Sequence, residues 1–106
     1  MSVDGYFREK LGNGVGCLVG VGDIRSRLQN AFFSMTTVSS GGFSNPDLGA
    51  AWDEIFATVT KQPALGDEGT IVATLRTMSE DELAQVARDL LYLYERLLRE
   101  ANDPYL

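Results

Sequence analysis

The chain has 106 residues, of which 44% are hydrophobic and 23% are charged, and its formal net charge is −6. This length and composition are typical of a single globular domain, which we expect to span residues 1–106 around one hydrophobic core. The acidic balance disfavours nucleic acid and membrane surfaces as partners, because both are bound through clustered lysines and arginines.

Two residue types that carry much of protein chemistry are scarce in this chain. It has no histidine, so it cannot build a Ser-His-Asp or Cys-His nucleophile system or a histidine-containing metal site by itself. Its one cysteine, Cys17, cannot form an internal disulfide, and nothing therefore indicates an oxidising compartment. We expect a cytoplasmic protein that is not an enzyme, with no catalytic residue, no cofactor and no metal ligand.

The first predicted helix runs from about Val3 to Val19, with apolar residues at helical spacing. Its second half overlaps a glycine-rich stretch, "LGNGVGCLVGVGD", at positions 11–23. The stretch lacks the preceding strand of a dinucleotide-binding loop and is too short to span a membrane. We expect the helix to be tightly packed or locally broken near Gly12–Gly16, because glycines inside a helix are costly unless close packing offsets them. Gly20 and Gly22 should then form a turn.

Three further helices are predicted before the C-terminal segment. Asp23 is a suitable N-cap for a helix from about Ile24 to Met35, since its carboxylate can accept the free N–H groups of the first turn. Asn45 can cap a helix from about Pro46 to Thr60, with the proline at the first helical position. A shorter helix is expected from about Glu68 to Thr77.

The fifth predicted helix is the longest. Ser79 and Glu82 form a capping box, and no glycine or proline follows until after Ala101. Glu95 and Arg99 are placed to form an ion pair one turn apart. Apolar residues recur at alternating spacings of four and three, as in a heptad pattern: Leu83, Ala87, Leu90, Tyr94, Leu97 and Ala101. The sequence therefore predicts an all-α fold, a compact bundle of about five helices with a long C-terminal helix.

The apolar residues of this fifth helix cover a wider arc than the roughly 100° that a peripheral helix needs. The helix should therefore be central to the bundle or shared with a second chain. We predict a non-catalytic protein-protein interaction module. It is either a homo-oligomer, as in a homodimer, or an accessory subunit bound to another protein. The expected interface residues are Leu91, Tyr92, Tyr94, Glu95 and Leu98.

The alternative hypothesis is a small-molecule-binding domain, or a weak enzyme, with a pocket between helices. Trp52, Phe56 and Tyr94 could line such a pocket, and Arg76 could orient an acidic ligand. A specific ligand that raises the melting temperature by mass action would favour this alternative.

Overall fold

The computed structural model describes residues 3–64, 66 and 68–102, and within them every regular element is helical. This confirms the predicted all-α fold with a long C-terminal helix. A single turn of 3-10 helix at Ser40–Gly42, which the sequence did not indicate, lies between the second and third α-helices. The five α-helices are α1 (Val3–Leu18), α2 (Ile24–Ser34), α3 (Pro46–Val59), α4 (Thr70–Thr77) and α5 (Glu80–Asn102).

Short-range capping fixes most of the helix starts. The Asp23 carboxylate accepts a hydrogen bond from the Ser26 N–H at 2.8 Å, as predicted. Ser79 and Glu82 bond reciprocally: the Ser79 N–H donates to Glu82 Oε1 at 2.9 Å, and the Glu82 N–H donates to Ser79 Oγ at 3.2 Å. Helix α4 begins two residues later than expected, after Gly69, whose φ of +85° interrupts the helical backbone.

Helix α5 is central to the bundle. It packs against α1, α2 and α3, which explains why its apolar arc is wider than that of a peripheral helix. The core draws on every α-helix, with the most deeply buried large side chains being Leu11, Leu28, Phe32, Leu48, Val59, Leu75, Leu83, Leu90 and Leu93. Most of the surplus apolar surface that the sequence assigned to α5 is thus buried within one chain.

Two arginines of α2 hold the C-terminal ends of neighbouring helices. Arg27 Nη1 donates to the carbonyl oxygen of Leu18, the last residue of α1, at 2.5 Å. Arg25 donates from Nε to the Leu75 carbonyl at 2.9 Å and from Nη2 to the Met78 carbonyl at 2.7 Å. Because helix C-termini expose unpaired carbonyls and carry partial negative charge, both contacts favour the positions of α1 and α4 around α2.

The glycine-rich stretch is helical as far as Leu18 and then turns, as expected, with Gly22 at a φ of +100°. The expected close packing is present at two of these glycines and absent at a third. A Cβ at Gly12 would lie 3.0 Å from the hydroxyl oxygen of Tyr94, and one at Gly14 would lie 2.5 Å from the sulfur of Met35. A Cβ at Gly16 would meet nothing within 4 Å. The glycines therefore admit large side chains, not the backbone of another helix.

Candidate interaction surface

Three heptad positions of α5 are buried in the core. They are Leu83, Leu90 and Leu97, which we call the buried row. Tyr94, which we predicted to be at an interface, is half-buried and has its hydroxyl close to Gly12 of α1. Its place is set by contacts within the chain, because the missing side chain of the glycine leaves room for its ring.

The other predicted interface residues lie nearer the solvent. Leu91 is 43% exposed and Tyr92 is 59% exposed. Glu95 is exposed and Leu98 is half-buried. Because Leu91 and Tyr92 are consecutive helical residues, they point in different directions, and each lines a separate groove beside α5.

Leu91 belongs to an apolar groove between α1 and α5, which we call the α1/α5 groove. Its volume is about 200 Å³. Val19, just past the end of α1, is 83% exposed on its edge. Arg88 contributes the only ionisable side chain among the lining residues, which are Val15, Leu18, Val19, Ala87, Arg88 and Leu91. Large apolar side chains left open to solvent on two adjoining segments are the type of surface that protein interfaces use.

The predicted interface included no residue of α1. Val15 is half-buried in α1, and Val19 is exposed just past the end of this helix. The signal that could have indicated this is the position of Val19 beside Gly20, in the turn that the sequence itself predicted. A large apolar residue placed at a turn lies beyond the helix that would bury it.

Tyr92 belongs to a second and more polar groove, between α3 and α5, which we call the α3/α5 groove. Its volume is about 330 Å³, at the lower end of the range of small-molecule sites. The apolar side chains that line it are Ala51, Ile55, Val86 and Leu93, and the polar ones are Glu54, Thr58, Asp89, Tyr92 and Arg96. Glu54 and Asp89 are exposed, and Arg96 is half-buried.

The four residues named for the alternative pocket line neither groove. Trp52 is buried, with its ring centroid 6.3 Å from that of Phe32 and 5.9 Å from that of Phe56. Arg76 forms an exposed ion pair with Glu68. Trp52 therefore acts as a core side chain, and the guanidinium of Arg76 is already engaged.

Asp23 and Glu82, two carboxylates whose pKa is lowered, are both helix caps. Hydrogen bonds from the backbone N–H and the hydroxyl of Ser79 lower the pKa of Glu82, and those of Ser26 lower the pKa of Asp23. In the part of the chain that the structure describes, no three cysteine or carboxylate side chains are grouped so as to hold a metal ion. None of the described helices has both the length and the apolar character needed to cross a bilayer.

Comparisons with known proteins add no relative. No protein-family model matches the chain, no curated protein matches it, and no solved structure matches it. A function is therefore inferred from the two grooves beside α5.

Proposed function

We propose that this chain is a non-catalytic helical interaction module that binds a protein partner. It does so through the outer face of α5, which carries Leu91 and Leu98, and through the adjoining end of α1. The observation that supports the proposal is the α1/α5 groove, where Leu91 and Val19 are exposed side by side along one apolar opening. Exposed apolar surface lost from water on binding stabilises a complex in proportion to the area buried. The partner is a second copy of this chain or another protein to which the chain is an accessory subunit.

The α1/α5 groove suits docking of a side chain better than binding of a small polar ligand. Apart from Arg88, its lining side chains offer neither charge nor a hydroxyl group to orient a ligand. Arg88 is exposed and already donates to Gln85 Oε1 at 2.9 Å.

We take the cytoplasm as the expected compartment, on the ground of the single cysteine alone.

The test is the double substitution Leu91→Lys and Leu98→Lys, which places two charges on the outer face of α5. We expect it to abolish association while leaving the helix content unchanged, because neither side chain belongs to the buried row. Association is measured by light scattering across a concentration series and by capture of partners on immobilised wild-type and variant protein. Circular dichroism checks the helix content.

Phe33→Lys is the matched control, because Phe33 is 51% exposed on α2 and lines neither groove. The proposal requires that Phe33→Lys keeps every association that the double variant loses. If the double variant keeps its associations, the outer face of α5 is not the docking surface.

The α3/α5 groove favours a second candidate function, the binding of a small molecule. Its apolar floor is combined with two hydroxyl groups, two carboxylates and the half-buried Arg96. Arg96 makes no hydrogen bond or ion pair with any residue that the structure describes, so its guanidinium is available to an anionic group.

A thermal-shift screen separates this candidate from the first. A ligand of the α3/α5 groove should raise Tm by mass action in the wild type and in Lys61→Gln, but not in Arg96→Gln. If no compound raises Tm, or if the shift persists in Arg96→Gln, the groove is not the binding site.

A further inference from the structure

An outer stripe of α5 carries charges in an order that is complementary to itself. The stripe consists of Ala84, Arg88, Leu91, Glu95 and Leu98, spaced by four, three, four and three residues, so that all five lie along one side of the helix. Leu91 is at its middle. Arg88 lies about 4.5 Å before Leu91 along the helix axis and Glu95 about 6 Å after it, given a rise of about 1.5 Å per residue.

Neither charge of the outer stripe forms an ion pair with a residue that the structure describes. Among these residues Arg88 hydrogen-bonds only to the neutral Gln85, and the side chains of Arg88 and Gln85 are exposed. The pair between Glu95 and Arg99 that the sequence predicted is not formed, and Glu95 makes no hydrogen bond or ion pair with the described residues. One positive and one negative group therefore flank Leu91 and remain open to a partner.

Resting on the proposed function, we propose that the partner is a second copy of this chain, with the two α5 helices packed antiparallel about a two-fold axis beside Leu91. Such an axis places Arg88 of each copy opposite Glu95 of the other, so that two equivalent ion pairs form. The midpoint between Arg88 and Glu95 falls half a residue from Leu91, so the two leucines meet at the centre of the contact. The charged pairs then lie on either side of this centre, with Ala84 and Leu98 beyond them.

A parallel arrangement of the same two helices is disfavoured by the same residues. In register, it would bring Arg88 against Arg88 and Glu95 against Glu95, and like charges held close together are repulsive. The apolar residues do not make this distinction. Parallel packing sets each of Ala84, Leu91 and Leu98 against its own counterpart, and antiparallel packing sets Ala84 against Leu98, so apolar groups meet in either direction. The direction of packing is therefore set by the charged members of the outer stripe.

The α1/α5 groove adjoins the outer stripe and enlarges the apolar part of the contact. Arg88 and Leu91 belong to both, and Val15 and Val19 lie on the α1 side of the groove. Packing across the outer stripe would cover these exposed apolar groups as well. The contact then has an apolar centre and a charged edge, the usual arrangement of specific interfaces.

Charge reversal tests the direction of packing. Arg88→Glu alone places two carboxylates opposite each other twice, and Glu95→Arg alone does the same with two guanidiniums. We expect each single variant to raise the Kd for self-association by about tenfold, since two favourable pairs become two unfavourable ones. The combined variant should return to within about threefold of the wild type, because its pairs are restored with their signs exchanged. Sedimentation equilibrium measures each Kd.

Lys61→Glu and Asp53→Arg are the matched controls. They change the net charge of the chain by the same amounts as the two single variants, at exposed positions outside the outer stripe. We expect both to associate as the wild type does. The antiparallel arrangement is wrong if the loss of affinity in the combined variant equals the two single losses added together. It is also wrong if the control substitutions raise the Kd for self-association as much as the single variants do.

Cross-linking gives a second reading of the same geometry. In a Cys17→Ser background, chains carrying Arg88→Cys and chains carrying Glu95→Cys are mixed and oxidised. Antiparallel packing predicts disulfide-linked mixed dimers, and parallel packing predicts dimers of like chains. A chain that stays monomeric at every concentration would overturn this inference, although binding to another protein that is lost in the Leu91→Lys and Leu98→Lys variant would still support the proposed function.

Discussion

Gly49 of α3 lies directly against the backbone of Ser40, in the 3-10 turn. A Cβ on Gly49 would be 2.6 Å from the Ser40 carbonyl oxygen, which is closer than a real Cβ approaches any atom. Close packing was predicted for the glycine-rich stretch of α1, where large side chains lie against the glycines, but the close approach of one backbone to another is found here. It occurs instead at a single glycine that no pattern singled out.

Gly49→Ala should destabilise the fold. The added methyl group would push α3 away from the 3-10 turn, because a carbonyl oxygen in the backbone cannot move aside as a flexible side chain can. Overpacking of this kind costs about 1–3 kcal/mol of the free energy of unfolding. Urea denaturation monitored by circular dichroism measures the change, and an unchanged midpoint would mean that α3 does not lie so close to Ser40.

Gly16→Ala should have the opposite effect. Gly16 is inside α1, is exposed, and has open space where a Cβ would be placed. Replacing it with alanine restricts the unfolded chain and favours the helix, so we expect a gain of about 0.5–1 kcal/mol. Since the chemical change is the same as in Gly49→Ala, a loss of stability here would contradict the helical structure of the glycine-rich stretch.

Arg25→Met should destabilise the fold by removing two hydrogen bonds to the end of α4, one to the Leu75 carbonyl and one to the Met78 carbonyl. The Met78 carbonyl would lose the charged donor that lies 2.7 Å away, and the aliphatic part of the side chain would be kept. Hydrogen bonds from charged groups contribute about 1.5–3 kcal/mol each. Arg76→Met is the control, because that arginine forms only an exposed ion pair, and its denaturation midpoint should change much less.

Stability should fall as the pH drops below about 4. The pKa of Glu82 is lowered in the folded chain, so its ionised form stabilises the fold above the pKa of an unfolded glutamate, about 4.3. That stabilisation is lost as the pH falls through the folded pKa. Glu82→Gln cannot titrate, so its denaturation midpoint should differ less between pH 7 and pH 3 than that of the wild type.

Asp81→Asn is the matched control for this pH dependence, because Asp81 is the neighbouring acid of the same helical turn. Its variant should keep the full pH dependence of the wild type. An equal loss of pH dependence in both variants would show that the general negative charge of the turn, not the capping box, is responsible.

The starts of α2, α3 and α5 could be predicted because they depend on residues close together in the chain. Asp23, Asn45 and the pair Ser79 and Glu82 each satisfy backbone groups two or three positions away, and all of these caps are present. The 3-10 turn at Ser40–Gly42 could not be predicted in the same way. It packs against α3, so it depends on a part of the chain that lies further along the sequence.

Only part of the candidate surface could be predicted from the sequence, for a related reason. Periodicity identified Leu91, Tyr92 and Leu98 as surplus apolar residues of α5, but it could not tell which neighbours would cover them. Tyr94 turned inward because Gly12 left room for it, a relationship between residues more than eighty positions apart. The contribution of Val19 depends on where α1 ends beside α5, which also requires the tertiary structure.

The short connection between α1 and α2 has a consequence for the order of folding. Only residues 19–23 separate the two helices, which pack against each other, so their contact closes a small loop at little entropic cost. Helix α5 must reach the same two helices from the far end of the chain. We therefore expect an α1–α2 hairpin to form early and α5 to dock late, so that the surface around Leu91 is assembled in one of the last steps of folding.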